Sequence, residues 1–331
     1  MSISSGEVSR RDPREFRGLT FGITISVPNQ MFAGIAYDDT DVNQLTFQEA
    51  SYFLREGGRV VLGHRWKPEG VMHHLASQVK LSRLWRRIDT VSGQGSQSPN
   101  VPDILNVIAW NDQPPSEADI EACRLIKEGV LSVEQVMPPG IDVTDVDPNS
   151  NLGKFCRIRA LTAMRQRITE LSDVRICLGG GNNRPERRLS GVLEEALLAI
   201  QAGKPLFVAS AMGGVSKVIA DAILQRKISP EDQQHFYTPE AARDIMLEFA
   251  EQYSFSAEHG PSIQGHPGQF HTDVQETLRS LSVPELASVA RLDVDDYLTL
   301  LTTADLDYAL TLITRAARVI SREKNADRSQ L

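Results

Sequence analysis

Three consecutive glycines, Gly179, Gly180 and Gly181, follow an apolar stretch and precede a basic segment and two adjacent glutamates. Glycines let a backbone approach a phosphate closely, and the free N–H groups at a helix N-terminus favour an anion. Arginines add charge and directed hydrogen bonds, while a carboxylate beside a ribose can stabilise an oxocarbenium-like transition state or activate water. These residue types indicate a phosphate site, a catalytic site or only a strand-to-helix turn, and the glycines alone do not decide between them.

Other predicted strand ends carry small, polar or basic residues that fit the same site. These residues are Ser26 at the end of the first strand, Gly63, His64 and Arg65 after the second, and Gly213 and Gly214 after the last. The last two could supply backbone donors, although a plain turn explains them equally well. The ring of Trp66 could stack on a base, but burial is the more common fate of a tryptophan.

Basic and acidic residues follow the three glycines. Arg188 follows them, and Ser190 and Gly191 then lead into a predicted helix that carries Glu194 and Glu195. Arginine could anchor a phosphate, and either glutamate could face a ribose. Acidic residues in a first helical turn also complement the helix dipole without any ligand. A structural role for the glutamates therefore stays open.

The elements that position these residues follow from hydrophobic periodicity, because apolar runs of strand length alternate with segments of helical period. We predict strands at 19–27, 59–62, 104–110, 134–137, 174–178 and 205–211. We predict helices at 46–56, 69–80, 116–128, 157–171, 192–201 and 215–225, and later at 239–255, 274–281 and 295–321. The pattern indicates a three-layer α/β sandwich, and the glycines lie at strand carboxyl ends, where open α/β sheets bind ligands.

Composition excludes several classes of protein. The 331 residues include 35 Lys+Arg and 43 Asp+Glu, a net charge of -8, which opposes binding to the polyanionic backbone of nucleic acid. Hydrophobic residues make up 41% and charged residues 24%, as in soluble globular proteins. No apolar run is long enough to span a membrane, no export signal is recognised, and the three cysteines lack metal-ligand spacing. We expect a cytoplasmic protein without a metal site or a cofactor.

The stretches RALTAMRQRITELSDVRICLGGG and RLSGVLEEALLAIQAGKPLFVASAMGG resemble the SLOG superfamily. This superfamily includes the LOG cytokinin-activating phosphoribohydrolases, the Smf/DprA proteins and the nucleotide-sensing domains of melastatin-type channels, and the order of motifs is most similar to a prokaryotic branch related to those channel domains. The resemblance implies a Rossmann-like, mostly parallel sheet that binds a nucleotide or an ADP-ribose-type ligand. It places this SLOG-like domain at 18–228, after an extended or disordered N-terminus at 1–17 and before a helical C-terminal extension at 229–331.

The LOG enzymes carry a PGGxGTxxE motif, from which this chain departs. The proline and threonine are absent, and several residues separate the glycines from Ser190 and Gly191, but Glu195 has the matching offset from Gly191. If the chain is an enzyme, the resemblance implies Glu195 as the catalytic carboxylate and Arg165 as the phosphate anchor. Arg157, Arg165 and Arg167 lie in a helical pattern, where arginines usually form a solvated face.

Three functions are therefore compared. One is a module that binds or senses ADP-ribose or a related nucleotide. It is favoured because the glycines that could hold a phosphate are present while the catalytic motif is disrupted. A LOG-like phosphoribohydrolase that cleaves an N-glycosidic bond is favoured by Glu195 and the arginines. The third is a DprA-like DNA-binding protein, which the net negative charge of the chain opposes. We expect a nucleotide-derived small-molecule ligand, a homodimer, and a separate effector protein as the partner of a sensor.

Overall fold

The structure is a computed structural model, and it describes residues 15–26, 39–63, 72–75, 77, 79, 102–117, 119–181, 189–225, 239–249, 252–253, 274, 277–278 and 280–328. Six strands form one sheet. They are β1 (Thr20–Ser26), β2 (Arg59–Leu62), β3 (Ile104–Ala109), β4 (Leu131–Val136), β5 (Val174–Gly179) and β6 (Leu206–Ala209). All six were predicted, although β4 begins three residues before the predicted start at 134.

The sheet is parallel at every described pairing, with the order β4-β3-β2-β1-β5-β6. From β1 the chain builds outward through β2 and β3 to β4, and it then crosses back to place β5 on the other side of β1. The order of the strands therefore reverses between β1 and β5. In open α/β sheets, ligands bind outside the carboxyl ends of the strands at such a switch point.

Nine helices have defined bounds within the described ranges. They are α1 (Asp39–Arg55), α2 (Ile120–Lys127), α3 (Asn151–Leu171), α4 (Gly191–Gln201), α5 (Gly214–Gln225), α6 (Glu240–Phe249), α7 (Val283–Ala290), α8 (Val294–Thr302) and α9 (Leu306–Arg328). Residues 72–75, 77 and 79 are also helical, inside the segment predicted at 69–80. A short 3-10 turn, Ser210–Met212, follows β6.

Helices cover both faces of the sheet. Val60 of β2 belongs to the apolar cluster that contains Phe53 of α1, whereas its neighbour Val61 packs with Met164 of α3. Because successive side chains of a strand point to opposite faces, α1 and α3 lie on opposite sides. The prediction of a three-layer α/β sandwich with a Rossmann-like sheet is confirmed.

The helix α3 carries the chain from β4 back to β5, and it begins earlier than the predicted residue 157. Its start is fixed by Ser150, whose side-chain oxygen accepts a hydrogen bond from the backbone N–H of Gly153 at 3.0 Å. A side chain at Gly153 would overlap the backbone of Asp147 and Pro148. This local cap adds six residues to the helix that hydrophobic periodicity alone did not reveal.

The C-terminal helices α7, α8 and α9 pack against β6. Tyr297 of α8 is fully buried, and its hydroxyl donates to the carbonyl oxygen of Leu206 at 3.0 Å. The single span predicted at 295–321 is two helices, because Thr303 is extended and its hydroxyl oxygen accepts from the N–H of Asp305 at 3.0 Å. The prediction also omitted α7. Within the described residues, no helix has an apolar span of the length that a lipid bilayer requires.

Candidate functional site

The carboxyl ends of β1 and β5 meet at the switch point. Ser26 pairs in register with Gly179, and the N–H of Gly180 donates to the carbonyl oxygen of Ser26 at 2.9 Å. Gly180 has φ +103, and a Cβ built there would lie 2.9 Å from atoms of both Val192 and Val215. Only glycine fits this position without strain, since L side chains rarely adopt that φ. Gly179, Gly180 and Gly181 therefore form a close-packed connection between two strands and two helices, which we call the glycine edge.

The first turns of α4 and α5 are joined to this glycine edge. The Ser190 hydroxyl donates to the carbonyl oxygen of Gly181 at 3.3 Å, and the N–H of Val215 donates to the carbonyl oxygen of Gly180 at 3.0 Å. Gly213 and Gly214 have positive φ values of 71 and 63 degrees and lead directly into α5. The structure thus brings the predicted residues after β1, β5 and β6 to one edge of the sheet.

Gly63 follows β2 at the same carboxyl edge, two strands away from β5. A Cβ at this position would lie 2.9 Å from Ile168 and 3.2 Å from Met164, so its lack of a side chain serves packing against α3. His64, Arg65 and Arg188, together with Trp66, lie outside the described residues. Another tryptophan, Trp110, is buried in the core beside α3.

Below the glycine edge, Arg165 of α3 forms an ion pair with Glu194 of α4. The guanidinium Nη1 bonds one carboxylate oxygen of Glu194, and the Thr162 hydroxyl donates to the other oxygen at 2.7 Å. Arg165 Nε also lies 3.8 Å from an oxygen of Glu195. Arg165 and Glu194 are 3% and 1% exposed, so this pair lies inside the protein. Gly191 leaves the space that the guanidinium occupies, since a Cβ there would be 3.1 Å from Arg165 Nη2.

A second buried arginine, Arg175 of β5, holds Glu195. Its Nη1 lies 2.9 Å from Glu195 Oε2 and 3.3 Å from Thr24 Oγ1, and its Nη2 donates to Thr169 Oγ1 at 2.9 Å. The Thr24 hydroxyl also donates to Glu195 Oε2. Arg175 is 1% exposed and Glu195 is 7% exposed. Gly22, which pairs with Arg175, leaves room for the guanidinium, because a Cβ there would be 3.1 Å from its carbon.

The four charges form one unit, which we call the buried ion network (Arg165, Arg175, Glu194 and Glu195). Two cations and two anions from three elements are packed together between α3, α4 and β5. The sequence predicted Arg165, Glu194 and Glu195 as site residues but missed Arg175 and its threonine partners, Thr24 and Thr169. The available signals were the one charged residue in the otherwise apolar strand β5 and the threonines of β1.

The other two arginines singled out on α3 have different partners. Arg157 donates to the Trp110 carbonyl oxygen at 2.6 Å and bonds Asp112 at 2.9 Å, which fixes the turn after β3. Arg167 is 40% exposed and pairs with Glu134 at 2.8 Å. Of the three arginines singled out on α3, only Arg167 lies on a solvent-exposed face of the helix, which is the structural role considered from the sequence.

Cys177, on the strand that leads to the glycines, is fully buried and free. Burial raises the pKa of its thiol to about 12. A thiol is a much poorer nucleophile than a thiolate, so the raised pKa opposes a nucleophilic role for Cys177 at neutral pH. Among the described residues, no group of three or more histidine, cysteine or acidic side chains could hold a metal ion.

A family model described as SLOG cluster2 matches residues 15–283. The match covers most of the chain, so the protein belongs to the SLOG superfamily, and the resemblance seen in its motifs is confirmed. No curated protein matches the sequence significantly. Membership indicates a nucleotide-related, Rossmann-like domain.

Proposed function

We propose that this SLOG protein binds a nucleotide of the ADP-ribose type, or a close relative, across the carboxyl ends of β1 and β5. The observation that carries the proposal is the coincidence of the topological switch point with the glycine edge. The order of strands reverses between β1 and β5, and the predicted residues Ser26, Gly179 and Gly180 lie there. A ligand at this position follows the general rule for open α/β sheets.

In this proposal the phosphates lie against the start of α4. An α-helix leaves its first N–H groups without intrahelical partners, and its dipole favours an anion at this end. The cap residue Ser190 makes no side-chain hydrogen bond to the first turn of α4, so its side chain does not satisfy those N–H groups. The glycine edge lets the ligand approach the backbone closely. Arg188, Arg65 and His64 stay predicted ligand contacts.

The partners of the two glutamates support binding rather than cleavage. A general base or a stabiliser of an oxocarbenium ion must reach the ribose. Both oxygens of Glu194 and one oxygen of Glu195 accept hydrogen bonds inside the protein, and the other oxygen of Glu195 lies 3.8 Å from Arg165. These carboxylates act as structural charges in the proposal, and Arg165 supports the site from below without contacting phosphate.

The test combines thermal shift, calorimetry and a product assay on the whole chain. We expect ADP-ribose or ADP to stabilise the protein, since a ligand that binds only the folded state adds about 2.7 kcal/mol at a hundredfold excess over Kd. Chromatography after incubation with AMP and ADP-ribose should show no free base or ribose product. Release of free base would replace this proposal with the LOG-like phosphoribohydrolase. A panel of ADP-ribose, cyclic ADP-ribose and nucleoside monophosphates that shifts nothing would contradict nucleotide binding altogether.

A further inference from the structure

Glu194 and Glu195 create an electrostatic problem for the proposed site. They occupy the beginning of α4, the helix whose N-terminus faces the proposed phosphate position. Glu194 lies in the first turn of α4 and Glu195 directly follows it. Acidic side chains close to a helix N-terminus complement the helix dipole themselves and repel a second anion. Two carboxylates without partners would therefore weaken the binding of a phosphorylated ligand.

The two buried arginines supply matching positive charges from the protein side. Arg165 is paired with Glu194, and Arg175 lies 2.9 Å from Glu195. The side chains of all four residues are less than one-tenth exposed. Water cannot screen charges at this depth as it does on a surface, so the neutralisation depends on the arginines.

We propose that Arg175 determines the preference of this site for phosphorylated ligands by cancelling the charge of Glu195. This inference rests on the proposed nucleotide site. Arg175 does not touch the ligand, because its guanidinium lies beside Thr24, two residues before the end of β1. At about 3.3 Å per residue, that position is roughly 7 Å below the strand end. At this distance an unbalanced charge still acts on a bound phosphate.

Arg175 is suited to this role because β5 and its neighbours hold it in place. It donates to Thr24 Oγ1 and to Thr169 Oγ1, at 3.3 Å and 2.9 Å, and it lies over Gly22. A guanidinium is charged at every physiological pH and donates several hydrogen bonds in a fixed plane. The positive charge is therefore permanent and fixed in orientation below the glycine edge.

The experiment compares ADP with adenosine, which has the same base and ribose but no phosphate. Glu195→Gln keeps the shape and an acceptor for Arg175 while removing the negative charge. We expect this variant to bind ADP roughly tenfold more tightly by calorimetry, with adenosine affinity unchanged. In the double variant Arg175→Met with Glu195→Gln, both charges are gone, and the ratio of ADP to adenosine affinity should return to the parent value.

The outcomes separate this inference from the proposed function. If the parent chain binds neither ADP nor ADP-ribose, both proposals are overturned. If the parent binds ADP but Glu195→Gln alters ADP and adenosine affinity equally, Arg175 and Glu195 serve packing only, and this inference alone fails. It also fails if the double variant keeps the gain of the single variant. Thermal unfolding of each variant confirms that the molecules compared are folded, and the charge-neutral double variant leaves no buried ion unpaired.

Discussion

Two buried glutamates on opposite faces of the sheet differ in their partners. Glu195 on α4 is 7% exposed, and two arginines and a threonine surround its carboxylate. Glu49 on α1 is 5% exposed, and neither of its oxygens has a hydrogen-bond partner in the described part of the chain. Burial without a partner raises the pKa of Glu49 to about 8. Thr24 and Phe21, which contact the two helices, point to opposite faces of β1.

The comparison shows that burial alone does not identify a functional carboxylate. The pKa of Glu49 is strongly raised, yet nothing among the described residues connects it to the carboxyl edge of the sheet. Glu195 lies below the switch point, belongs to the buried ion network and accepts a hydrogen bond from Thr24 of β1. Position relative to the strand ends and the identity of the partners carry the functional argument, and a shifted pKa by itself does not.

The largest expected effect comes from breaking the buried ion network. Arg165→Leu removes the guanidinium that pairs with Glu194 in the interior, and removing one partner of a buried pair typically costs about 3–5 kcal/mol. Urea unfolding at neutral pH measures the loss. The matched control is Arg167→Leu, two residues along the same helix, whose ion pair is 40% exposed and should contribute less than about 1 kcal/mol. Equal losses in the two variants would contradict the description of the network as a buried unit.

The second effect concerns Glu49 and the pH. Its pKa is raised from 4.5 to about 8 in the folded protein, so the folded state binds the proton more tightly. Its contribution to stability is therefore fully present below about pH 4.5 and is lost as the pH rises towards 8. The loss should be on the order of 3–4 kcal/mol across that range. Glu49→Gln should remove this part of the pH dependence and stabilise the protein at pH 8.

Urea unfolding at several pH values between 4.5 and 8.5 tests this prediction. Glu117→Gln on the exposed surface is the control, and it should leave the pH profile of the parent unchanged. A Glu49→Gln variant that is no more stable than the parent at pH 8 would show that Glu49 has a partner for its charge. The contrast with Glu195 would then disappear.

The third effect is smaller and concerns the glycine edge. Gly180→Ala forces φ +103 on an alanine and brings its Cβ to 2.9 Å from Val192 and Val215. We expect a loss of about 2–3 kcal/mol in unfolding free energy. Gly203→Ala is the control: its φ is +62, and no other described atom lies within 4 Å of the added Cβ, so only backbone strain of about 1 kcal/mol is expected. Equal losses would mean that the edge is less closely packed than the structure shows.

The sheet could be predicted from sequence because apolar runs such as VRICLG in β5 are buried on both faces and contrast with polar loops. The Gly179–Gly181 turn and the start of α4 followed from local composition. The break between α8 and α9 was missed because side chains make it: Asp305 accepts a hydrogen bond from the N–H of Tyr308 at 3.0 Å and starts α9 within a continuous helical pattern.

The buried ion network could be predicted only in part. Arg165 and Glu194 are 29 positions apart, and Arg175 and Glu195 are 20 apart. Their pairing depends on how α3 and α4 cross the sheet, which periodicity does not specify. The resemblance to the LOG motif predicted Arg165 and Glu195 at the ligand, and the structure shows both of them in buried ion pairs.

The switch point between β1 and β5 is the proposed nucleotide site. Amide hydrogen exchange with and without saturating ADP-ribose tests it most directly, because it locates the ligand along the chain. We predict slower exchange in the segments around Ser26, Gly179–Gly181 and the first turn of α4, with little change in α2 and β4. Saturable binding that leaves these segments unchanged and protects other parts of the chain would contradict the claim.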